Sequence, residues 1–320
     1  MSIEHERIHL ETSSVLIRQQ QLEHVQNHPQ WRANITTSIA PENSLITVPE
    51  GQINLNKSLD SCFYGWDNEY GQHQAEVPSF AASQYLVSNE EFFSFVEDNG
   101  YSTDRYWTEE GLAWLQFTQV EHPSFWRKTA LGWSLRIMLE EIPMPWNWPV
   151  EVNYHEAKAF CNWKAQKTGQ SIRLPTEDEW YRLYDVAGLD PELPSPAQAN
   201  IELKYGPQPC PVDYFQQGDF FDIQGNVWQW TETPIYPFEG FQVHPIYDDF
   251  STPTFDGRHN LIKGGSWISA GNEALHSARY AFRRHFFQHA GFRYVAASQE
   301  LKQFHSHYET DQLISQYLEF

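Results

Sequence analysis

The sequence between residues 51 and 297 lacks long periodic apolar runs, and this constrains the fold more than any other feature. Short aromatic segments there are divided by Pro, Gly, Asn and Asp, and the chain of 320 residues holds 13 Trp, 16 Tyr and 21 Phe. So much aromatic mass favours a folded chain with a large core. Frequent interruption favours short strands and loops. We therefore predict a mixed α/β (α+β) fold with much irregular structure.

Within this region, three segments carry helix start signals. Ser88 can cap a helix over residues 88–99, and Asn153 can cap a second over residues 153–167, which a Thr-Gly pair would end. Thr176 with Glu179 three residues later forms a capping box that predicts a third helix.

The two ends of the chain differ in composition from this central region. We predict four segments: a helix within residues 1–26, a polar linker over residues 27–50 broken by three prolines, the main domain over 51–297, and a polar tail over 298–320. The tail could form a last helix from Glu309. The first helix, over residues 3–25, would pack through its apolar side chains, namely Ile3, Ile8, Leu10, Val15, Leu16, Ile17 and Leu22.

Charge and cysteine content exclude several classes of function. The 21 Lys and Arg are outnumbered by 42 Asp and Glu, and the net charge of -21 would repel nucleic-acid phosphates. Three widely spaced cysteines argue against a disulfide framework or a cysteine-ligated zinc. The sequence has neither a signal-peptide pattern nor a membrane-spanning run, so we expect a cytoplasmic protein.

The sharpest chemical motif is His5-x3-His9-x-Glu11 on the predicted first helix. Histidines at positions i and i+4 lie on one helix face, about 6 Å apart, so both imidazoles could reach one metal ion. Solvent-facing histidines on a polar helix are the alternative reading. Two ligands alone do not complete an open catalytic site, which usually holds three protein ligands.

Four phrases in the main domain occur in a suggestive order: RLPTEDEW, GNVWQWTE, KGGSW and AGFR, beginning at residues 173, 225, 263 and 290. In order and spacing they resemble the domain shared by formylglycine-generating enzymes (sulfatase-modifying factors) and the iron-dependent sulfoxide synthases of ergothioneine and ovothiol biosynthesis. The resemblance covers roughly residues 50–297 and implies a sulfatase-modifying fold related to C-type lectin domains. Formylglycine-generating enzymes use a cysteine pair near the last phrase, and residues 276–293 contain no cysteine.

The sulfoxide synthases fit better, because they carry an HX3HXE motif at the end of a DinB-type helical bundle upstream of this domain. The segments HERIHLETSSVLIRQ and RYAFRRHFFQHAGFR resemble the ovothiol branch (OvoA, 5-histidylcysteine sulfoxide synthases) more than the ergothioneine branch (EgtB). The resemblance implies that Fe(II) and O2 are used to join cysteine to histidine. It also implies that His5 and His9 are two of three iron ligands.

The same resemblance implies parts that this sequence does not contain. The family's third histidine comes from an earlier helix of the bundle, and the ovothiol branch commonly continues into a methyltransferase domain. We therefore expect a truncated synthase, with a separate polypeptide supplying the bundle and the methyltransferase. The isolated chain would then be inactive.

The resemblance further suggests residues for the reaction and the substrates. Tyr236, which follows the WQWT phrase, is the expected active-site tyrosine, with Tyr247 and Tyr280 as alternatives. Guanidinium groups match carboxylates, so Arg279, Arg283 and Arg284, together with Tyr280, are the expected substrate contacts.

The segment DIQGNVWQ, residues 222–229, resembles a calcium loop of the formylglycine-generating branch. Asp222 and Gln229 would be its side-chain ligands, since hard cations prefer oxygen donors. Gln229 stands where glutamate is commoner, and the lost negative charge favours a metal-free turn.

Two other functions remain open at this point. The scaffold could be a non-catalytic binding module that has lost the iron chemistry. It could also be a formylglycine-type oxidase, which the missing cysteine pair disfavours.

Overall fold

The computed structural model describes residues 1–33, 35, 38–191 and 197–297. Helices and short strands alternate with long connections, and none of the described helices is long and apolar enough to span a membrane. The helices are α1 Ser2–Gln19, α2 Asn89–Glu97, α3 Glu109–Thr118, α4 Tyr154–Thr168 and α5 Glu177–Val186. The strands are β1 Leu45–Val48, β2 Gly51–Leu55, β3 His73–Val77, β4 Phe80–Ser83, β5 Trp126–Thr129, β6 Gly132–Arg136, β7 Glu141–Pro143, β8 Ile172–Arg173, β9 Gln216–Gln217, β10 Phe220–Phe221, β11 Trp228–Pro234, β12 His259–Lys263, β13 Tyr280–Arg283, β14 Ala290–Gly291 and β15 Val295–Ala297.

Two four-stranded sheets organise the part of the chain from β1 onward, which we call the body. The first has the order β1-β4-β15-β8, and Val295 at its centre pairs with Ala82 on one side and Arg173 on the other. The second has the order β13-β12-β11-β14, with β11 and β14 parallel. The strands β5-β6-β7 form a smaller sheet, and β2-β3 and β9-β10 form hairpins.

An aromatic core joins these sheets to the helices. Six tryptophans are almost completely buried, and Phe92 of α2 stacks on Phe160 of α4 with ring centroids 5.4 Å apart. Aromatic side chains bury large areas and pack in offset or edge-to-face geometry, so short elements can share one core. The mixed α/β prediction with few helices is confirmed.

The three helices predicted from capping signals are present. Asn153 and Thr176 form full capping boxes with Glu156 and Glu179, and Ser88 accepts a hydrogen bond from the backbone of Glu91. The sequence reading missed α3, whose N-cap Thr108 precedes two acidic residues and accepts from the backbone of Gly111. The same kind of signal was therefore available for it.

The predicted linker contains a strand of the first sheet. Residues 45–48 form β1 and pair with β4 in antiparallel register, so this part of residues 27–50 belongs to the body. Val48 is buried in a core cluster that also contains Trp180 and Phe220, and Ile46 packs against this cluster. The predicted tail, with its last helix from Glu309, lies outside the described residues.

The first helix differs most from its prediction. It ends at Gln19, because Gln20 adopts an extended conformation, and it does not continue to Val25. Its buried residues are Glu11, Ser14, Val15 and Arg18. Most of the predicted apolar packing residues are exposed instead, namely Ile3, Leu10, Leu16, Ile17 and, beyond the helix, Leu22. The helix therefore docks on the body through a polar face.

Candidate metal centre

Glu11 is the central contact between α1 and the body. Its Oε1 accepts hydrogen bonds from Nε1 of Trp228 at 2.6 Å and from Oγ of Ser266 at 3.0 Å, and its Oε2 accepts one from Oγ of Ser269 at 2.8 Å. Glu11 is almost completely buried. A buried carboxylate is tolerated where hydrogen-bond donors satisfy its oxygens. The final residue of the HX3HXE motif thus faces the body.

A buried charge network fixes the same helix two turns later. Nη1 of Arg18 lies 2.6 Å from Oε1 of Glu151, and Nδ1 of His289 lies 3.2 Å from the same oxygen. Nε2 of His289 is 2.7 Å from Oγ of Ser14. Burial alone would raise the pKa of Glu151, but Arg18 and His289 outweigh it and lower that pKa from 4.5 to about 2. The network keeps Glu151 charged and holds α1 in place.

The histidine pair lies beside this docked face. His5 and His9 are one turn apart, and their ring centroids are separated by 4.4 Å in an edge-to-face arrangement. The side chain of His5 is 34% exposed and His9 is exposed. The helix therefore presents both imidazoles together at the edge of its interface with the body, as the motif spacing predicts.

Tyr247 is the tyrosine that the structure brings to this pair. Its ring centroid is 5.6 Å from that of His5, in edge-to-face contact. Tyr247 packs against Phe250 at 5.6 Å and Trp66 at 6.0 Å, and Trp66 stacks on Phe250. The connection between β11 and β12 thus carries a phenol to the histidines, and Trp66 supports it from the body.

Tyr236, the tyrosine expected from the sequence, lies in a different cluster. Its hydroxyl is 3.3 Å from Nε2 of His73, and the same nitrogen lies 2.8 Å from Oδ1 of Asp178. The ring of Tyr236 faces the guanidinium of Arg279. Burial and the nearby Glu177 raise the pKa of Tyr236 far above 10. Position after the WQWT phrase did not reveal this difference, because both tyrosines belong to the same connection.

Arg279 is committed to a buried ion pair and does not face the histidines. Its Nε and Nη2 donate to the two carboxylate oxygens of Glu177 at 2.8 and 3.0 Å. Its Nη1 donates to the backbone oxygens of Asn68 and Tyr236. Every nitrogen of this guanidinium already has an acceptor, so Arg279 would have to give up internal hydrogen bonds to bind a substrate carboxylate.

Arg284 and Arg283, the other two predicted substrate contacts, have different surroundings from each other. Arg284 donates to Asn260, Glu110 and the backbone of Gly257, so all its nitrogens are engaged. Arg283 is exposed and lines an open cavity with Arg258, His285 and Glu110. Successive strand residues point to opposite faces. Since Phe282 lines the interface with α1, Arg283 faces away from it.

Tyr280 does lie under α1, as a buried part of the interface. Its hydroxyl accepts a hydrogen bond from Nε1 of Trp66 at 3.0 Å and donates one to Oδ1 of Asn272 at 2.9 Å. Burial raises the pKa of Tyr280 well above 10. Both partners fix the ring, so Tyr280 supports the floor of the interface between α1 and the body.

The sequence reading gave no role to Glu273, which lies in this interface. Glu273 and Tyr280 line a cavity of about 10 Å³ beneath α1, together with Glu11 and Trp228. Burial, and then the charge of Glu11, raise the pKa of Glu273 to about 9. At neutral pH Glu273 therefore favours its protonated form. Contacts between such distant positions leave no local sequence signal.

The calcium-like loop does not fit a calcium ion. Nε2 of Gln229 donates to the backbone oxygens of Asp222 and Ile223 at 3.1 and 2.8 Å, so a hydrogen-bond donor already occupies the carbonyl groups. Nε of Arg293 donates to Oε1 of Gln229 at 2.7 Å, and its Nη2 donates to the oxygen of Asp222. Burial raises the pKa of Asp222 well above 3.8. The guanidinium of Arg293 and the amide of Gln229 donate to the oxygens that would otherwise bind calcium.

The histidine pair fits part of a transition-metal site. Imidazole nitrogens suit iron and zinc, and the side chains at i and i+4 converge on one point. Over residues 1–33, 35, 38–191 and 197–297, no group of three His, Cys, Asp or Glu is arranged to hold a metal ion. Within the part of the chain that the structure describes, the pair therefore supplies two candidate ligands.

Comparison with known proteins places the body in a family. A family model described as "Sulfatase-modifying factor enzyme 1-like domain" matches residues 32–190 and 196–298. The hercynine oxygenase of Mycobacterium tuberculosis is 33% identical over 221 residues, which cover 63% of this chain and 48% of that protein. That of Mycolicibacterium smegmatis is 32% identical over 247 residues, covering 70% and 54%. The chain thus spans about half the length of these relatives.

A solved structure supports the same fold. PvdO from Pseudomonas aeruginosa superposes with a TM-score of 0.54 at 18% identity, over 79% of this chain and 94% of that one. At this identity the likeness concerns the fold alone. The match of the family model covers most of the chain, including the four phrases and both main sheets. This chain belongs to the family of sulfatase-modifying factor enzyme 1-like domains.

Proposed function

We propose that this chain is the central part of an Fe(II)- and O2-dependent sulfoxide synthase that joins the sulfur of cysteine to the imidazole of histidine. The observation that carries the proposal is the meeting of His5, His9 and Tyr247 at the edge of the interface between α1 and the body. Two neighbouring imidazoles and a phenol are the groups that such a reaction would need at one place. The similarity to hercynine oxygenases supports the general reaction class.

The residues of this chain would have distinct tasks. His5 and His9 would hold iron(II), which when bound would offer open positions for O2 and a cysteine thiolate. The hydroxyl of Tyr247 would hold or deliver a proton beside the metal site. We assign this role to Tyr247 because it contacts His5, whereas Tyr236 contacts His73 and Arg279.

The third ligand would come from a segment or a separate polypeptide that supplies the rest of a helical bundle. The outer side of α1 supports this, because Ile3, Leu10, Leu16 and Ile17 are exposed there beside the histidines. An apolar helix face exposed in this way usually packs against another element. By the resemblance described above, a methyltransferase would complete the ovothiol enzyme.

The choice of histidine as the acceptor substrate rests on the ovothiol-like segments at residues 5–19 and 279–293. The curated relatives act, by name, on hercynine. Both compounds carry an imidazole, and they differ at the amino group. Arg279 and Arg284 hold internal acceptors and Arg283 faces away from α1, so the acceptor substrate is tested directly.

The test measures bound iron and product for the wild-type chain and a His5→Ala/His9→Ala variant. The chain would be loaded with Fe(II) anaerobically and then given O2, cysteine and either histidine or hercynine, with and without a polypeptide carrying the proposed helical bundle. We expect product only in the presence of that polypeptide, with histidine preferred, and we expect the variant to lose both iron and product. Mass spectrometry would identify the sulfoxide.

Three results would contradict the proposal in different ways. A chain that takes up no iron even with the added bundle would be a non-catalytic module. Preference for hercynine would place it with the ergothioneine enzymes. Conversion of a cysteine-containing sulfatase peptide would indicate formylglycine-type oxidation, which the buried Cys161 and the separate Cys62 and Cys210 do not support.

A further inference from the structure

We infer that Glu11 is a positioning residue, whose carboxylate fixes the rotation of α1 and so aims the histidine pair. The inference rests on the proposed metal site and assigns the last residue of the HX3HXE motif a task other than metal binding. Glu11 would act through the helix, since its carboxylate contacts the body and neither imidazole is among its partners.

The hydrogen bonds of Glu11 are suited to fixing an orientation. All three partners are neutral donors, and together they use both carboxylate oxygens. Hydrogen bonds are directional, and charged acceptors make them stronger than neutral ones. A rotation of α1 would break several of them at once and leave buried polar atoms without hydrogen-bond partners, which is costly.

The donors themselves are fixed by the second sheet. Trp228 is the first residue of β11, and Ser266 and Ser269 lie just after β12. The backbone nitrogen of Ser266 donates to Oγ of Ser269 at 2.8 Å, so the two serines are already arranged around the carboxylate. Trp228 belongs to the GNVWQWTE phrase and Ser266 to the KGGSW phrase, and Ser269 lies two residues after the second phrase, so both phrases lie at the contact with the histidine motif.

The spacing of the motif follows from helix geometry. At about 100° per residue, Glu11 is turned by about 200° from His9 and about 240° from His5. The carboxylate thus points into the body while the imidazoles point along its edge. Glu4, two turns before Glu11, adds a second contact on the same face by accepting from the backbone of Asn272 at 2.9 Å.

Loss of this contact should weaken metal binding without unfolding the body. The helix has 18 residues, and most of the stability of a helix in a protein comes from its tertiary packing. If the docked state becomes a minor population, the apparent dissociation constant rises by the inverse of that population. The two imidazoles would then spend most of the time without the spacing that one metal requires.

The experiment uses Cu(II) as the probe, because it binds nitrogen ligands more tightly than the other first-row divalent ions. Electron paramagnetic resonance titrations would compare wild type with Glu11→Ala, Glu11→Gln, Ser269→Ala and the double variant Glu11→Ala/Ser269→Ala. Hydrogen exchange of the α1 amides and thermal unfolding of the body would be measured on the same samples. Glu23→Ala, which removes an exposed carboxylate just after α1, is the matched control.

We expect Glu11→Ala to weaken Cu(II) binding about tenfold and to speed exchange in α1, with Glu11→Gln intermediate and Glu23→Ala unchanged. Because Ser269 acts through Glu11, its loss should add nothing in the Glu11→Ala background. Glu11→Ala binding Cu(II) as tightly as wild type, while His5→Ala/His9→Ala loses it, would overturn this inference alone. Equal binding by wild type and the double-histidine variant would instead overturn the proposed metal site.

Discussion

Two tyrosine–histidine contacts in this molecule have opposite surroundings. At the first, Tyr236 and Asp178 both reach Nε2 of His73, and a fully paired Arg279 lies under the ring of Tyr236. At the second, Tyr247 touches His5 through its ring alone, and the neighbouring His9 is exposed. The first contact is closed and hydrogen-bonded, whereas the second is open.

This difference distinguishes residues that stabilise the fold from residues that remain available for a reaction. Groups that already hold all their hydrogen bonds contribute to the folded state and have no capacity left for a ligand. Groups that are held in place but remain unpaired can accept a metal, a proton or a substrate. The pKa of Tyr236 is raised well above 10 although its contacts are closed, so a raised pKa did not by itself identify a reactive site.

Arg279→Met is the substitution that should destabilise the closed contact most. This change leaves the carboxylate of Glu177 buried without its guanidinium partner, and breaking a buried pair in this way costs about 3–5 kcal/mol. Urea unfolding would measure the loss. A cost below about 1 kcal/mol would mean that the cluster is not closed as described.

Acid should loosen the network that brings α1 to the open contact. The pKa of Glu151 is lowered from 4.5 to about 2 in the folded state. A lowered carboxyl pKa stabilises the fold above pH 4.5, and this stabilisation of about 3 kcal/mol disappears as the pH falls through 2. The free energy of unfolding between pH 5 and pH 2 should therefore fall less steeply in Glu151→Gln than in wild type. Glu23→Gln should keep the wild-type slope, and parallel slopes for all three proteins would refute the assignment.

The two tyrosines should differ in their effect on the reaction. On the proposed function, Tyr247→Phe in the complete, iron-loaded enzyme should lower sulfoxide formation about 100-fold, the scale of a lost proton donor. Tyr236→Phe keeps the ring over Arg279 and should change the rate less than about threefold. Product formation measured under saturating substrates compares them, and a reversed order would return the role to Tyr236.

The smallest effect is expected at Arg283, which is exposed, unlike the buried Arg279. Arg283→Met should change the free energy of unfolding by no more than about 0.5 kcal/mol, because substitutions at exposed positions away from buried contacts are nearly neutral. The ratio of the two changes in the free energy of unfolding shows how much less the exposed arginine contributes to stability than the buried one. A loss similar to that of Arg279→Met would show that Arg283 is also part of a stabilising network.

Local signals predicted the parts of the fold that depend on neighbouring residues. The helices α2, α4 and α5 follow from capping residues within one turn of their first residues, and the aromatic composition predicted a mixed core. The position of β1 did not follow, because its pairing with β4 joins residues on either side of the β2–β3 hairpin.

The candidate site was less predictable because its contacts join distant positions. The pair of His5 and His9 follows from helix spacing, but Glu11 meets donors 217 and 258 residues away along the chain. The buried face of α1 is largely polar, so the pattern of apolar residues indicated the exposed face of the helix and not the docked one. Likewise, the ion pair of Arg279 with Glu177 spans 102 residues and cannot be inferred from the type of either residue.

The guanidinium of Arg293 in the calcium-like loop has a consequence for handling the protein. A dissolved ion leaves its site when its concentration falls, so a loop built around one responds to dialysis and to chelating agents. A cation attached to the chain by its own side chain cannot be diluted. The melting temperature of the body should therefore be the same in EDTA and in millimolar calcium, and the scaffold around the histidines should remain intact while their metal is removed and exchanged.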